Sequence, residues 1–261
     1  TTRDLIAAAL HEQMRVHKTK ANLNNIIGVP QSVFAMPEET ELAIFELGMH
    51  ISGEIRRSSL CTAPDLAVIT NVGTSHIGNF ADGQQGILRA KAEIVDGLQA
   101  GGILLLNGDD PLLLDLALEL KERFRVVFTH RAAHAHARLY EVAAACGGEG
   151  GAGVIYTASE ENLEDLHVHY TLLRETVTAA GVTQETLGQV ACPAPGEHQV
   201  MNTLFAMACA GILELPIEQA NRAMQSFTPT GHRQRIEHYG PYTVINDAYN
   251  ASPESMGSAF A

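Results

Sequence analysis

Cysteine is sparse and unpatterned. The 261 residues hold four, Cys61, Cys146, Cys192 and Cys209, with no CxxC spacing among them. That excludes a disulfide-stapled scaffold and, with no signal peptide ahead of them, fits a reduced, cytoplasmic compartment. Positive charge is also short, 17 Lys and Arg against 30 Asp and Glu, for a net charge of −13. Such a field repels nucleic acid and anionic membrane surfaces, so no nucleic-acid partner is expected. Long hydrophobic runs are missing too. The longest uncharged apolar stretch, residues 199–213, is shorter than the ~20 residues of a membrane span, contains Asn202, and reads as a buried helix. There is no GxSxG or HExxH motif, and no glycine-rich loop follows a strand and opens a helix. Serine-hydrolase, zincin and dinucleotide-binding readings therefore lack their signatures. The initiator methionine is absent as well. The chain opens on Thr1-Thr2-Arg3-Asp4, already inside a helical pattern, which predicts that something precedes it.

What is present is an ordinary globular composition, 46% hydrophobic and 18% charged, on a chain long enough for a substantial core. Over the first half, apolar β-branched runs at 41–47, 66–72, 102–106 and 125–129 alternate with helical patterns at 3–15, 53–60, 84–98 and 111–123. That alternation predicts an α/β fold, a mostly parallel sheet flanked by helices. Between 138 and 190 the pattern changes to short alternating segments around a glycine cluster at 147–153, which predicts a small antiparallel appendage. Helices return at 197–213 and 216–227. The stretch Thr228-Pro229-Thr230-Gly231 is the expected domain boundary, followed by strands at 234–238 and 242–246 and a helix starting near Ser252. This divides the chain into a domain at 1–228 and the opening of another at 229–261.

Several residues are placed for chemistry. Glu46 closes an apolar strand and His76 follows the next one, so both belong to the C-terminal edge where open α/β sheets put ligands and metals. A carboxylate and an imidazole there form a plausible metal pair, although capping or loop roles would explain either alone. Thr1-Thr2 before an amphipathic helix fits the tail of a phosphate loop, and equally an N-capping threonine pair. Lys91 reads by default as a solvated helix lysine. The His134/His136 and His167/His169 pairs lack a third ligand and are explained by loop polarity or strand alternation.

Taken together, these segments resemble the Mur ligases. The resemblance is carried by Thr19-Lys20-Ala21-Asn22-Leu23-Asn24-Asn25, by Phe45-Glu46-Leu47-Gly48 with Gly53-Glu54-Ile55, and by His76-Ile77-Gly78-Asn79-Phe80. Ala90-Lys91-Ala92-Glu93-Ile94, Leu106-Asn107-Gly108-Asp109-Asp110 and Ile245-Asn246-Asp247-Ala248-Tyr249-Asn250-Ala251-Ser252-Pro253 extend it over nearly the whole chain. The last run is similar to the branch that adds D-alanyl-D-alanine (D-Ala-D-Ala) to a UDP-N-acetylmuramoyl-tripeptide.

The resemblance implies a P-loop NTPase-like central domain followed by the start of a Rossmann-like one. It also implies an ATP-dependent amide ligase of peptidoglycan synthesis that works through an acyl phosphate, as a monomer. By the same resemblance Glu46 and His76 bind Mg²⁺, and Lys91 is carbamylated and supports a second metal. Asn202 and Arg233 contact the adenine region, Asp247 the ribose, and Asn24 and Asn25 the substrate. The family usually has His-Asn where this chain has His198-Gln199. If Thr1-Thr2 end a phosphate loop, its glycines and lysine lie upstream, and the chain by itself is expected to be inactive. Mur-like ligases acting on folates or cyanophycin, and a non-catalytic structural fragment, are the alternatives. The 250–253 run argues against the first.

Overall fold

In the computed structural model the described residues are 1–134, 137–148, 151–164, 167–194, 196–228, 235–246 and 256. Four apolar runs form the parallel part of a six-stranded sheet: β3 (Leu66–Ile69), β4 (Ile103–Asn107), β5 (Arg125–Arg131) and the start of β6 (Gly153–Glu164). β7 (His167–Thr178) and β8 (Gly181–Ala191) then pair antiparallel onto β6, so the expected appendage is a continuation of the same sheet.

The earlier elements are α1 (Thr2–Leu10), β1 (Val16–Lys18), α2 (Gly28–Phe34), β2 (Leu42–Ile44) and α3 (Glu54–Thr62). β1 and β2 form a separate parallel pair, so the apolar run at 41–47 contributes only a short strand outside the main sheet. Val16, Leu42 and Ile44 nevertheless pack on the same apolar cluster as Leu66 and Val68 of β3.

The remaining helices are α4 (Gln84–Ala92), α5 (Pro111–Leu120), α6 (Ala137–Cys146), α7 (His198–Ile212) and α8 (Ile217–Met224). A hairpin of β9 (Arg235–Tyr239) and β10 (Tyr242–Asn246) follows the expected boundary. The expected helix near Ser252 lies outside the described residues, as do Arg233 and Asp247. Among the described residues no helix is long and apolar enough to cross a membrane.

β4 is buried on both faces, which is why it reads as an unbroken run of leucines rather than an alternation. Leu105 joins the core built with Leu5 and Leu10 of α1 and Phe205 and Met207 of α7. Leu104 and Leu106 face the opposite core, with Ile87 of α4, Leu113 and Leu114 of α5 and Leu139 of α6. Burying one such leucine contributes roughly 1.5–3 kcal/mol. α5 starts where Asp110 accepts a hydrogen bond from the Leu112 N–H at 3.0 Å and Pro111 supplies a preset first turn. The glycine cluster at 147–153 joins α6 to β6, a helix-to-strand connection with the opposite polarity to a nucleotide loop.

Two irregularities shape the outer strands. Pairing of β6 with β7 shifts register between Ser159 and Asn162, where Glu160 takes a φ of 53°. On the outer edge the β7–β8 register shifts between Leu172 and Leu173, opposite Gly188 at φ 142°. A side chain at that φ would be strained, so the bend requires glycine.

The ends of β4 and β5 are locked by one carboxylate. Asp109 accepts hydrogen bonds from His130 Nδ1 at 2.6 Å and from His134 Nδ1 at 3.0 Å. His130 is buried. Burial alone would raise the Asp109 pKa, but the hydrogen bonds and charges of the two histidines outweigh it and hold the group below its ordinary 3.8. A carboxyl with a depressed folded pKa stabilises the fold above its unfolded value and loses that contribution as pH falls through the folded one. Asp109→Asn should therefore cost about 2 kcal/mol at neutral pH. Acid unfolding curves of wild type and variant should converge as the pH drops below 3.8, the ordinary value of the group. A constant gap down to the lowest pH measured would contradict this account.

Candidate active site at the C-terminal edge of the sheet

Glu46 lies just beyond β2, and its N–H and both carboxylate oxygens are engaged. Its N–H donates to Thr19 Oγ1 at 3.1 Å, and Oε1 accepts from Asn24 Nδ2 at 3.0 Å. Oε2 is 3.2 Å from Arg3 Nη1. Arg3 also grips Asp4 through Nη2, at 2.8 and 3.0 Å, and donates to the Ala21 carbonyl at 2.8 Å. Asp4 is buried and takes Lys18 Nζ at 2.6 Å as well. Its own burial would raise its pKa, yet the bonds to Arg3 and Lys18 hold it below the ordinary value. Glu46 stays half-buried, so the structure brings Asn24 and Glu46 together with a guanidinium between the carboxylates of Asp4 and Glu46. Asn25 is placed differently. Its Oδ1 accepts from the Ile27 and Gly28 N–H groups at 3.0 and 2.8 Å, which fixes the start of α2.

His76 sits in the loop after β3 with a φ of 64°, an uncommon conformation for a residue with a Cβ. Its ring lies against that of His50, from the loop after β2, with centroids 4.8 Å apart and planes tilted by 56°. Asn79 Nδ2 donates to the His50 carbonyl at 3.0 Å and ties the two loops together. The His50 loop is pinned from behind by Glu54, whose Oε2 accepts the N–H groups of His50 and Ile51 at 2.5 and 3.1 Å. Those bonds lower the Glu54 pKa.

Lys91 occupies the last turn of α4 rather than its middle. Two residues on, the Glu93 carboxylate accepts the Gly53 N–H at 2.7 and 2.9 Å and the Arg56 N–H at 3.3 Å, so the end of this helix caps the start of α3. Lys91 is half-buried and its Nζ donates to the Asn71 carbonyl at 2.8 Å, at the base of the His76 loop. Burial lowers its pKa, opposed by the charge of Asp110. Asp110 Oδ2 accepts the Val72 N–H at 2.6 Å, and Asn107 Nδ2 donates to the Thr70 carbonyl at 3.0 Å, so the turn after β4 holds the same loop.

Asn202, in α7, accepts from Thr2 Oγ1 at 2.6 Å and donates to the His198 carbonyl and to Gln199 Oε1, each at 3.2 Å. It is thereby set beside the first turn of α1. Thr1 occupies the N-cap position of that helix without a side-chain capping bond. His134 binds Asp109, and His167 Nδ1 lies 2.9 Å from the Cys192 carbonyl oxygen. Among the described residues no three His, Cys, Asp or Glu side chains gather as a metal-binding group. The structure thus links Lys91 to the His76 loop and Asn24 to Glu46.

Arg3, His50, Glu93 and Asp110 are site residues that sequence reasoning did not single out. Only Asp110 carried a local signal, as a helix-capping residue before proline.

Comparison with known proteins places this arrangement. Residues 1–210 match the model of the Mur ligase middle domain. The UDP-N-acetylmuramoyl-tripeptide–D-alanyl-D-alanine ligase of Bacillus subtilis (strain 168) is 36% identical over 260 residues, covering 99% of this chain and 49% of that protein. The corresponding ligase of Treponema pallidum (strain Nichols) is 30% identical, covering 99% and 48%. Among solved structures, MurF from Acinetobacter baumannii superposes with a TM-score of 0.77 at 28% identity, over 99% of this chain and 50% of that one. The chain spans about half the length of these relatives. With the middle-domain pattern running through most of its residues, the chain belongs to the Mur ligase family.

Proposed function

We propose that this chain is the nucleotide-binding segment of an ATP-dependent amide ligase that joins D-Ala-D-Ala to a UDP-N-acetylmuramoyl-tripeptide. The observation that carries this reading is the 36% identity, sustained over 260 residues, to a ligase of that specificity. Residues 1–228 are assigned to the central domain and 229–261 to the opening of the next. The working protein is assigned to the cytoplasm as a monomer.

In the proposed reaction a substrate carboxylate attacks the γ-phosphorus of ATP, and the bond to the bridging oxygen breaks to release ADP. The D-Ala-D-Ala amine then attacks the acyl carbon of the acyl phosphate, loses a proton, and phosphate departs. Negative charge accumulates in both steps, so the side chains mainly neutralise and position. Mg²⁺, when bound, would supply charge neutralisation at the phosphate oxygens.

The half-buried Glu46 carboxylate and the exposed His76 imidazole fit a cation that keeps part of its water shell. Taking up a cation at Glu46 Oε2 requires Arg3 Nη1 to let go, and Arg3 retains its bonds to Asp4 and the Ala21 carbonyl when it does. Lys91 is suited to carbamylation because burial favours its neutral amine, the form that adds CO₂. Asn24 orients Glu46 and reaches toward the substrate side, while Asn25 acts through the start of α2. Asn202, beside Thr2, is assigned to the adenine end, with Arg233 and Asp247 completing the nucleotide contacts.

The test is product formation from UDP-N-acetylmuramoyl-tripeptide, D-Ala-D-Ala and ATP by the full-length protein that contains this segment. Lys91→Met and Glu46→Gln should each lower kcat by about 100-fold or more while the protein melts within a few degrees of wild type. Asn202→Ala should act on the ATP KM instead, raising it roughly tenfold. Ligation that proceeds equally well with a different acceptor amine would overturn the assigned specificity, and unchanged kcat in Lys91→Met would overturn the site.

A further inference from the structure

Arg3 is a buried cation in the first turn of α1, and its guanidinium reaches three segments at once. Nε and Nη2 face the Asp4 carboxylate, whereas Nη1 donates to the Ala21 carbonyl at 2.8 Å and lies 3.2 Å from Glu46 Oε2. Pairing with Asp4 does not account for that reach, because Lys18 Nζ already sits 2.6 Å from the same carboxylate. Ala21 itself is unusual. It takes a φ of 47°, a left-handed conformation that a Cβ disfavours and that persists where neighbouring groups enforce it. We infer that Arg3 is a positioning residue for the 19–25 loop, whose shape it sets by holding the Ala21 carbonyl, and through the loop for the precursor.

The loop is fastened at its two ends and open at its tip. Thr19 is buried and accepts the Glu46 N–H at 3.1 Å. At the other end Asn24 donates to Glu46 Oε1 at 3.0 Å, and its carbonyl accepts the Gly48 N–H at 2.7 Å. Residues 20–23 between these anchors are exposed, so a ligand reaches them from solvent. The Leu23 N–H donates to the Lys20 carbonyl at 3.1 Å and the Asn24 N–H to the Asn22 carbonyl at 2.8 Å. Both bonds close turns within the loop, and the Arg3 bond is what ties its tip to α1. A guanidinium suits this task. Its planar fork addresses a carboxylate on one side and a carbonyl on the other in fixed geometry, and it stays charged at every working pH.

That the loop receives the precursor rests on the ligase reading, whereas the hold of Arg3 on the loop does not. The test uses the full-length protein that contains this segment. Arg3→Lys keeps a charge beside Asp4 but replaces the fork by one ammonium, which cannot also hold Ala21. It should raise the KM for UDP-N-acetylmuramoyl-tripeptide roughly tenfold and leave kcat and the ATP KM within about twofold of wild type. Adding Ala21→Gly, which relieves the left-handed conformation, should recover most of that loss. Ala21→Val, at an exposed position where folding is not at stake, should raise the same KM with Arg3 intact. By hydrogen exchange, the amides of residues 20–25 should open about fivefold faster or more in Arg3→Lys, with those of α7 unchanged. This measurement needs no substrate, so it decides on Arg3 even where the protein fails to ligate D-Ala-D-Ala, a result that sinks the ligase reading alone. Unchanged exchange or an unchanged precursor KM in Arg3→Lys overturns the proposal. So does an unchanged precursor KM in Ala21→Val, no recovery with Ala21→Gly, or an ATP KM that rises as much as that of the precursor.

Discussion

The Asp110 carboxylate sits where three parts of the candidate site meet. One oxygen caps α5, the other holds the Val72 N–H at the root of the His76 loop, and its charge opposes the loss of the Lys91 proton. A buried-edge carboxylate of this kind fixes geometry because each oxygen satisfies a backbone donor that would otherwise be stranded at a helix start or a strand end. The position of Lys91 depends on it indirectly, since the lysine hydrogen-bonds the Asn71 carbonyl one residue before Val72. The turn from Asn107 to Asp110 therefore serves as the base on which the loop after β3 is laid.

A second charge pattern operates on the other side of the edge. Arg3 lies between two carboxylates, and the one it holds more tightly, Asp4, is the one water cannot reach. The more exposed carboxylate, Glu46, is left with a single ionic contact, so exchange of partners at this site falls on Glu46. This division follows from burial, because an unpaired Asp4 would cost several kcal/mol while an unpaired Glu46 is solvated.

Much of the fold was legible in local pattern. β3, β4 and β5 announced themselves as apolar runs between helical segments, and α5 as the helical pattern at 111–123. β1 was hidden because three residues, Val16-His17-Lys18, cannot establish a period, and their partner β2 is far along the chain. The long strands β6 to β8 looked like fragments for a different reason. Burial on both faces at residues 153–158 removes alternation, and the irregularity at Glu160 then reverses its phase. At the site, Glu46, His76 and Lys91 were visible through their positions near strand ends and the family resemblance. Their neighbours were not, since Arg3 and Asn24 meet Glu46, and Glu93 meets Gly53, only after tertiary folding.

The irregularity at Gly188 reaches beyond the local bend. β8 is the last strand of the sheet, and an open edge of that length invites pairing with another chain. The register shift bends the strand near its middle and breaks the straight row of donors and acceptors a visiting strand would need. Thr183, Gln184 and Glu185 keep the near half polar and exposed. A glycine with an unusual φ thus acts as a guard against edge-to-edge association on the near part of the rim, while Asn221 of α8 and Gln225 just past it occupy the backbone groups of Gln189 and Ala191 at its far end.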